Sequence, residues 1–167
     1  DTENRVFVFD NLSTGRLENL PHNHPSLCFF EIDLLSNFED WPLIENLAFI
    51  YHLSANADVR GGVKDRETDL KQNVLVTKAV CDYAKTYNCK HLVFSSTAAV
   101  YGEPEIFPTP ESSVLKQTSI YGASKLAGEA FIQAYSEYSD FKSSIFRFVS
   151  WIGPKYSHGV IYDFYRN

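Results

Sequence analysis

The strongest constraint on what this chain can fold into is a set of short β-branched and aromatic runs, each ending in a polar or small residue. Residues 5–10 read Arg-Val-Phe-Val-Phe-Asp and are followed by the turn-forming stretch Asn11, Leu12, Ser13, Thr14 and Gly15. Leu27 to Ile32 is a second run, closed by Asp33, and Leu47 to Leu53 is a third, leading into Ser54, Ala55, Asn56 and Ala57. His91 to Phe94 is a fourth, with Ser95, Ser96 and Thr97 at its end, and Ser143 to Ser150 is the last. Runs that are mostly apolar throughout, rather than alternating with polar residues, belong to strands of a parallel sheet covered on both faces.

The intervals between these runs carry a different period. Leu70, Val74, Thr77, Val80, Cys81 and Ala84 keep the three-four spacing of an amphipathic helix. A polar, proline-containing loop from Glu103 to Ser119 precedes a second helix, Tyr121 to about Tyr138, with Ala123, Leu126, Ala127, Ala130, Phe131 and Ala134 on one stripe. Strands alternating with helices predict an α/β, doubly wound parallel sheet, and 167 residues with 44% hydrophobic content suit a single domain.

Charge and cysteine usage exclude several functions. The net charge of -6 is spread along the chain without a Lys/Arg cluster, which argues against a nucleic-acid footprint and against an anionic membrane surface. The longest apolar stretches are broken by His52 and Arg147 and fall far short of the roughly 20 residues of a membrane span. Cys28, Cys81 and Cys89 form an odd set with no CxxC spacing, so neither a disulfide framework nor a zinc site is expected, and a reducing cytoplasm is the plainest location. The five histidines have no metal spacing, and Trp41 and Trp151 read as packing residues. The chain starts at Asp1 and contains no methionine, so it reads as a fragment.

Ligands of doubly wound sheets bind at the carboxyl ends of the strands, where Asp10-Asn11, Asp33, Ser54-Ala55 and Ser95-Ser96-Thr97 are found. An acid in such a place can accept both vicinal hydroxyls of an adenosine ribose and would repel a 2'-phosphate, so Asp10 favours NAD over NADP. Equally, Asp10 could do no more than open the turn to Gly15. Tyr121 and Lys125 stand four apart at the start of a helix, on one face. An ammonium beside a phenol stabilises the phenolate, so Tyr121 is expected to titrate well below its usual value of about 10 and to act as a base, with the Thr97 hydroxyl on the same substrate oxygen.

Five stretches then carry a resemblance: residues 8–15 (VFDNLSTG), His52 to Arg60 (HLSANADVR), Asn73, Phe94 to Gly102 (FSSTAAVYG) and Tyr121 to Glu129 (YGASKLAGE). In order and spacing the chain resembles the NAD-dependent epimerase/dehydratase family, an extended short-chain dehydrogenase/reductase family of Rossmann-like fold. Its nearest resemblance is to the branch that inverts C4 of UDP-hexoses. The resemblance implies NAD as cofactor, held by Asp10, Asn11, Ser13, Thr14 and Gly15 near the ribose, Asp33 and Leu34 beside the adenine, and Leu53, Ser54 and Ala55 along the pyrophosphate and nicotinamide ribose. Asn73, Ser95, Tyr121, Lys125 and Val149 complete that set, although buried hydrogen bonding would equally account for Asn73. It implies Thr97, Tyr121 and Lys125 as catalytic residues and Thr97, Tyr121 and Ser150 as contacts of a nucleotide-sugar substrate. Tyr121 would take the proton of the sugar 4-hydroxyl while NAD accepts the hydride from C4, and return to the other face would invert the centre.

The same resemblance marks departures. Dehydratases of the family carry acidic residues just after the catalytic hydroxyl; Ala98 and Ala99 stand here and can move no proton, so dehydration is disfavoured. A glycine-rich turn that cradles the pyrophosphate would precede Asp1, and a smaller substrate domain would follow Asn167, so residues 1–167 read as a partial NAD-binding domain expected to bind NAD poorly alone. Arg147-Phe-Val-Ser150 corresponds to an Arg-x-x-Asn pattern, with the shorter Ser150 in place of the asparagine. A decarboxylase or dehydratase of the same family, or an inactive NAD-binding fragment, are the alternatives. The two helices are the expected contact surface of a homodimer.

Overall fold

The computed structural model describes residues 4–21, 23–58, 65–149, 151, 153, 162, 164 and 165. Five strands form, all paired in parallel. β1 (Val6–Asp10) pairs with β2 (Leu27–Glu31), so that Asp10 stands beside Glu31. In a second sheet β3 (Phe49–His52) and β5 (Lys142–Phe148) flank β4 (His91–Thr97), with His52 beside Phe94 and Thr97 beside Phe148. β4 continues three residues past the apolar run, because Ser95 to Thr97 keep pairing with β5. The predicted strand at residues 143–150 ends at Phe148, and Ser150 lies outside the described residues.

The first predicted helix is a composite of α1 (Arg66–Asp69), a π-helical segment (Leu70–Leu75) and α2 (Val76–Thr86). Asp65 caps its start by accepting from the Glu67 N–H at 3.0 Å and from the Thr68 hydroxyl at 2.7 Å. The wider turn inserts an extra residue into the helical count, which turns Leu70 to solvent and places Asn73 inside at 1% exposure. Beyond it the expected face holds at Thr77, Val80, Cys81 and Ala84, which are buried, while Val74 is half-buried and Val76 is buried beside them.

α3 (Ile120–Tyr138) begins at Ser119, whose hydroxyl accepts from the Gly122 N–H at 3.0 Å. Its inward face is Gly122, Ser124, Lys125, Gly128, Glu129 and Ile132. The alanine-rich stripe read from the sequence lies on the other side, with Ala123, Ala130, Phe131 and Ala134 exposed and Leu126 and Ala127 half-buried. Close approach explains the inversion. A Cβ added at Gly128 would stand 3.0 Å from the Phe94 ring, so the smallest residue, not the most apolar stripe, meets the sheet.

α2 and α3 cover the face of β3–β4–β5 that carries His52, Leu92, Phe94 and Ser96. Among the described residues the opposite face of this sheet is open, with Phe49 (54%), Tyr51 (64%) and Phe146 (48%) exposed. One core joins the two sheets, with Phe9 edge-on to Tyr83 at 6.2 Å and to Trp41 at 6.2 Å. Trp41 packs as expected, while Trp151 remains largely exposed with its ring against Phe148 at 4.5 Å. No helix among the described residues is long and apolar enough to cross a membrane.

Candidate functional site

The carboxyl ends of β1, β2 and β3 open onto a cleft of about 210 Å³. Ten residues assigned to cofactor binding line it: Asp10, Asn11, Ser13, Thr14, Gly15, Asp33, Leu34, Leu53, Ser54 and Ala55. Ile32, Gln72 and Val76 line it too and were not foreseen. Gln72 and Val76 are four apart on the composite helix, and that i,i+4 relation was legible; that the π-helical segment aims them at the strand ends was not.

The first loop is built around its carboxylate. Asp10 Oδ1 accepts from the Leu12 N–H at 2.7 Å, and Asn11 Oδ1 accepts from the Ser13 N–H at 3.1 Å. A Cβ added at Gly15 would stand 2.8 and 2.9 Å from the two Asp10 oxygens, so only glycine allows the loop to close over this side chain. Asp33 Oδ1 accepts from the Leu35 N–H at 2.9 Å in a turn of the same kind. The lining holds two acids and no Lys or Arg. NAD fits this donor set: carboxylates at strand ends for ribose hydroxyls, apolar Ile32, Leu34 and Val76 for a base, small Ser54 and Ala55 where backbone must come close, and no cation to pair with a 2'-phosphate.

Asn73 closes the back of the site. Its Nδ2 donates to Ser124 Oγ at 2.8 Å and to Asp69 Oδ1 at 3.2 Å, and its Oδ1 accepts from the Asn56 N–H at 2.8 Å. Ser124 Oγ donates to the Tyr121 carbonyl at 2.8 Å. A polar chain therefore runs from the loop after β3 through the composite helix to the first turn of α3. Asp69 is fully buried, and its Oδ2 has no hydrogen-bond partner.

Thr97 ends β4, and its Oγ1 accepts from the Ala99 N–H at 3.1 Å, capping the 3-10 turn Ala98–Tyr101. The Thr97 hydroxyl also lies near enough to the Tyr121 phenol to act on its ionisation. Burial is the largest influence on that phenol and pushes its pKa up, the Thr97 hydroxyl draws it down, and the negative Asp69 pushes it up; the net direction is upward. This corrects the expectation that Lys125 holds Tyr121 low. Lys125 is 2% exposed and its Nζ lies 4.3 Å from the centroid of the Phe94 ring, down on the sheet. Burial brings its own pKa down to about 8, against a smaller upward pull from Glu129.

The remaining assigned residues lie apart. Ser95 donates from Oγ to the His52 carbonyl at 3.2 Å, and Val149, 79% exposed, borders a second cleft of about 850 Å³ at the end of β5. That second cleft also contains an ion pair that sequence reading passed over. Arg147 Nε donates to Glu129 Oε1 at 3.0 Å and Nη2 to Oε2 at 2.8 Å, while Nη1 donates to the Tyr101 hydroxyl at 3.0 Å and the Glu111 carbonyl at 3.2 Å. Ser96 Oγ donates to Glu129 Oε1. Among the described residues no cluster of His, Cys, Asp or Glu could hold a metal ion.

The family model described as NAD dependent epimerase/dehydratase family matches residues 1–167. The chain belongs to this family. Relatives are similar along most of its length: UDP-glucose 4-epimerase of Mycolicibacterium smegmatis is 31% identical over 154 residues, covering 90% of this chain and 49% of that protein. Among solved structures, a UDP-galactose 4-epimerase superposes with a TM-score of 0.86 at 33% identity, over 97% of this chain and 53% of the other. The UDP-glucose 4-epimerase of Thermus thermophilus in complex with NAD gives 0.75 at 31% identity, over 85% and 46%. The chain spans about half the length of the relatives it matches. The Rossmann-like fold and NAD as the cofactor of the epimerase/dehydratase family follow from these matches together with the cleft.

Proposed function

We propose that this chain is the NAD-binding part of a nucleotide-sugar 4-epimerase acting on a UDP-hexose, with residues 1–167 as a partial domain. The observation that carries the reading is the meeting of Thr97 and Tyr121 across the end of β4, on the same side of the sheet ends as a cleft suited to NAD. Bound NAD supplies a hydride acceptor that becomes the donor in the return step. The chain's own groups manage the proton. Thr97 orients the sugar 4-hydroxyl and Tyr121 removes its proton, leaving a transient 4-keto sugar that is reprotonated after turning.

A phenol whose pKa is raised by burial is a poor base, so binding must change its surroundings. Lys125, poised at about 8, is lodged on Phe94 and attracted by the Glu129 carboxylate, and a ribose hydroxyl offers its ammonium a hydrogen-bond acceptor. Its movement toward the cofactor would bring positive charge to the phenol and favour the phenolate. Ala98 and Ala99 supply neither acid nor base, which supports epimerisation over dehydration. Ser150 and the second cleft are assigned to the sugar side, and Val149 at the border of that cleft to the cofactor. The exposed stripe of α3 (Ala123, Ala130, Phe131, Ala134) with Leu70 and Leu75 of the composite helix suits pairing of two copies as a homodimer, and three free cysteines suit a cytoplasmic location.

The test is direct. The intact gene product is mixed with UDP-glucose or UDP-galactose and C4 inversion is followed by proton NMR, with Tyr121→Phe as control. Conversion abolished by Tyr121→Phe supports the proposal. No conversion of either sugar by a protein that holds NAD would refute the substrate assignment.

A further inference from the structure

The cleft at the strand ends has one wall that neither the family motifs nor the strand ends supply. It comes from the π-helical segment, where Gln72 and, one turn on, Val76 face the cavity. Gln72 is half-buried, and its carboxamide makes no hydrogen bond to any described residue. Asp10 and Asp33 each accept from a backbone N–H two residues on and keep further acceptor sites, but as carboxylates they can donate nothing to a ring nitrogen. A partly desolvated carboxamide with a free donor and a free acceptor is a group waiting for a complementary edge.

The surroundings define that edge. Ile32, Leu34 and Val76 offer apolar faces to a flat ring, and Asp10 stands at the ribose end. A carboxamide matches adenine on the edge that pairs N7 with the 6-amino group: Nε2 donates to N7 and Oε1 accepts from the amine. A 6-oxo purine presents two acceptors on the same edge, so one of the two bonds is lost. We propose that Gln72 is the base-reading residue of the cofactor cleft, selecting an adenine dinucleotide over its 6-oxo counterpart. This rests on the reading of the cleft as the NAD site and adds to it the residue that recognises the base.

The test is equilibrium binding to the purified protein freed of nucleotide, with NAD and with nicotinamide hypoxanthine dinucleotide as probes. Binding is read by calorimetry and needs no turnover. The unaltered protein is expected to prefer NAD by about tenfold, the size of one hydrogen bond. Gln72→Met keeps length and helix propensity, and Gln72→Asn keeps the amide but shortens its reach. Both are expected to weaken NAD about a hundredfold and the 6-oxo dinucleotide about tenfold, bringing the two probes to near equality, with unchanged circular dichroism. Retention of the preference in Gln72→Met would overturn the role of Gln72 while leaving the NAD site intact. Failure of the unaltered protein to bind either dinucleotide would overturn both.

Discussion

Replacing Arg147 by methionine should cost far more stability than loss of a surface ion pair. Glu129 is 2% exposed, and its carboxylate is held by Arg147 Nε and Nη2 and by the Ser96 hydroxyl. Methionine preserves the stem of the arginine and its packing but removes every donor. The buried carboxylate then keeps one hydrogen bond, from Ser96, and the attraction of Lys125, while the Tyr101 hydroxyl and Glu111 carbonyl lose their shared partner. Removing one member of a buried pair typically costs about 3–5 kcal/mol, against about 0–1 for an exposed pair. The Arg147 side chain is 20% exposed, so solvent relieves part of the penalty and about 3 kcal/mol is expected. With an m-value of about 2 kcal/mol/M, the urea midpoint of the intact protein should fall by about 1.5 M. Glu129→Gln added to Arg147→Met removes the orphaned charge yet keeps an acceptor for Ser96. The double variant should regain about 2 kcal/mol, because the penalty lies in the unpaired charge. A single-variant cost under about 1 kcal/mol, or a double variant as unstable as the sum of the singles, would refute this account of the pair.

Other outcomes follow from the same geometry. Burial, with a smaller effect of Lys125, lowers the pKa of His52 from 6.5 to about 3, so between these values the unfolded chain binds the extra proton and stability is lost as pH falls. Between about pH 7.5 and pH 5 the unaltered protein should lose about 2 kcal/mol that His52→Phe does not, and parallel urea-unfolding curves for the two would count against it. Gly102 has φ +63°, and a Cβ there would stand 1.9 Å from the Lys116 carbonyl oxygen, so Gly102→Ala should destabilise by more than about 3 kcal/mol, measured by thermal unfolding. Gly15→Ala would force the Asp10 carboxylate out of its turn and is expected to weaken NAD binding about tenfold with little change in melting temperature; unchanged affinity would show that Asp10 is not held for the ribose.

Much of this protein follows from local sequence. The apolar runs specified the five strands, because β-branched and aromatic residues over consecutive positions favour the extended chain. The polar residues that end β1, β2 and β3 specified the wall of the first cleft, since parallel strands put their carboxyl ends on one side. The Tyr121 and Lys125 spacing likewise put both residues on the first turns of α3, although only Lys125 is buried there and Tyr121 is half-buried.

Only the tertiary structure decided which face of a helix is buried and what each charge feels. Periodicity in α3 marked an alanine stripe, but packing against Phe94 required Gly128, and the stripe was left to solvent. The π-helical segment moved Leu70 out and aimed Gln72 at the cleft, a backbone choice not legible from side-chain spacing. Glu129 and Arg147 meet from different elements 18 residues apart, and Asp69 acts on Tyr121 from another helix. The direction of the Tyr121 shift was misjudged for the same reason: spacing reports proximity along a helix, whereas a pKa depends on desolvation and on where the neighbouring charge points, and Lys125 points to the sheet.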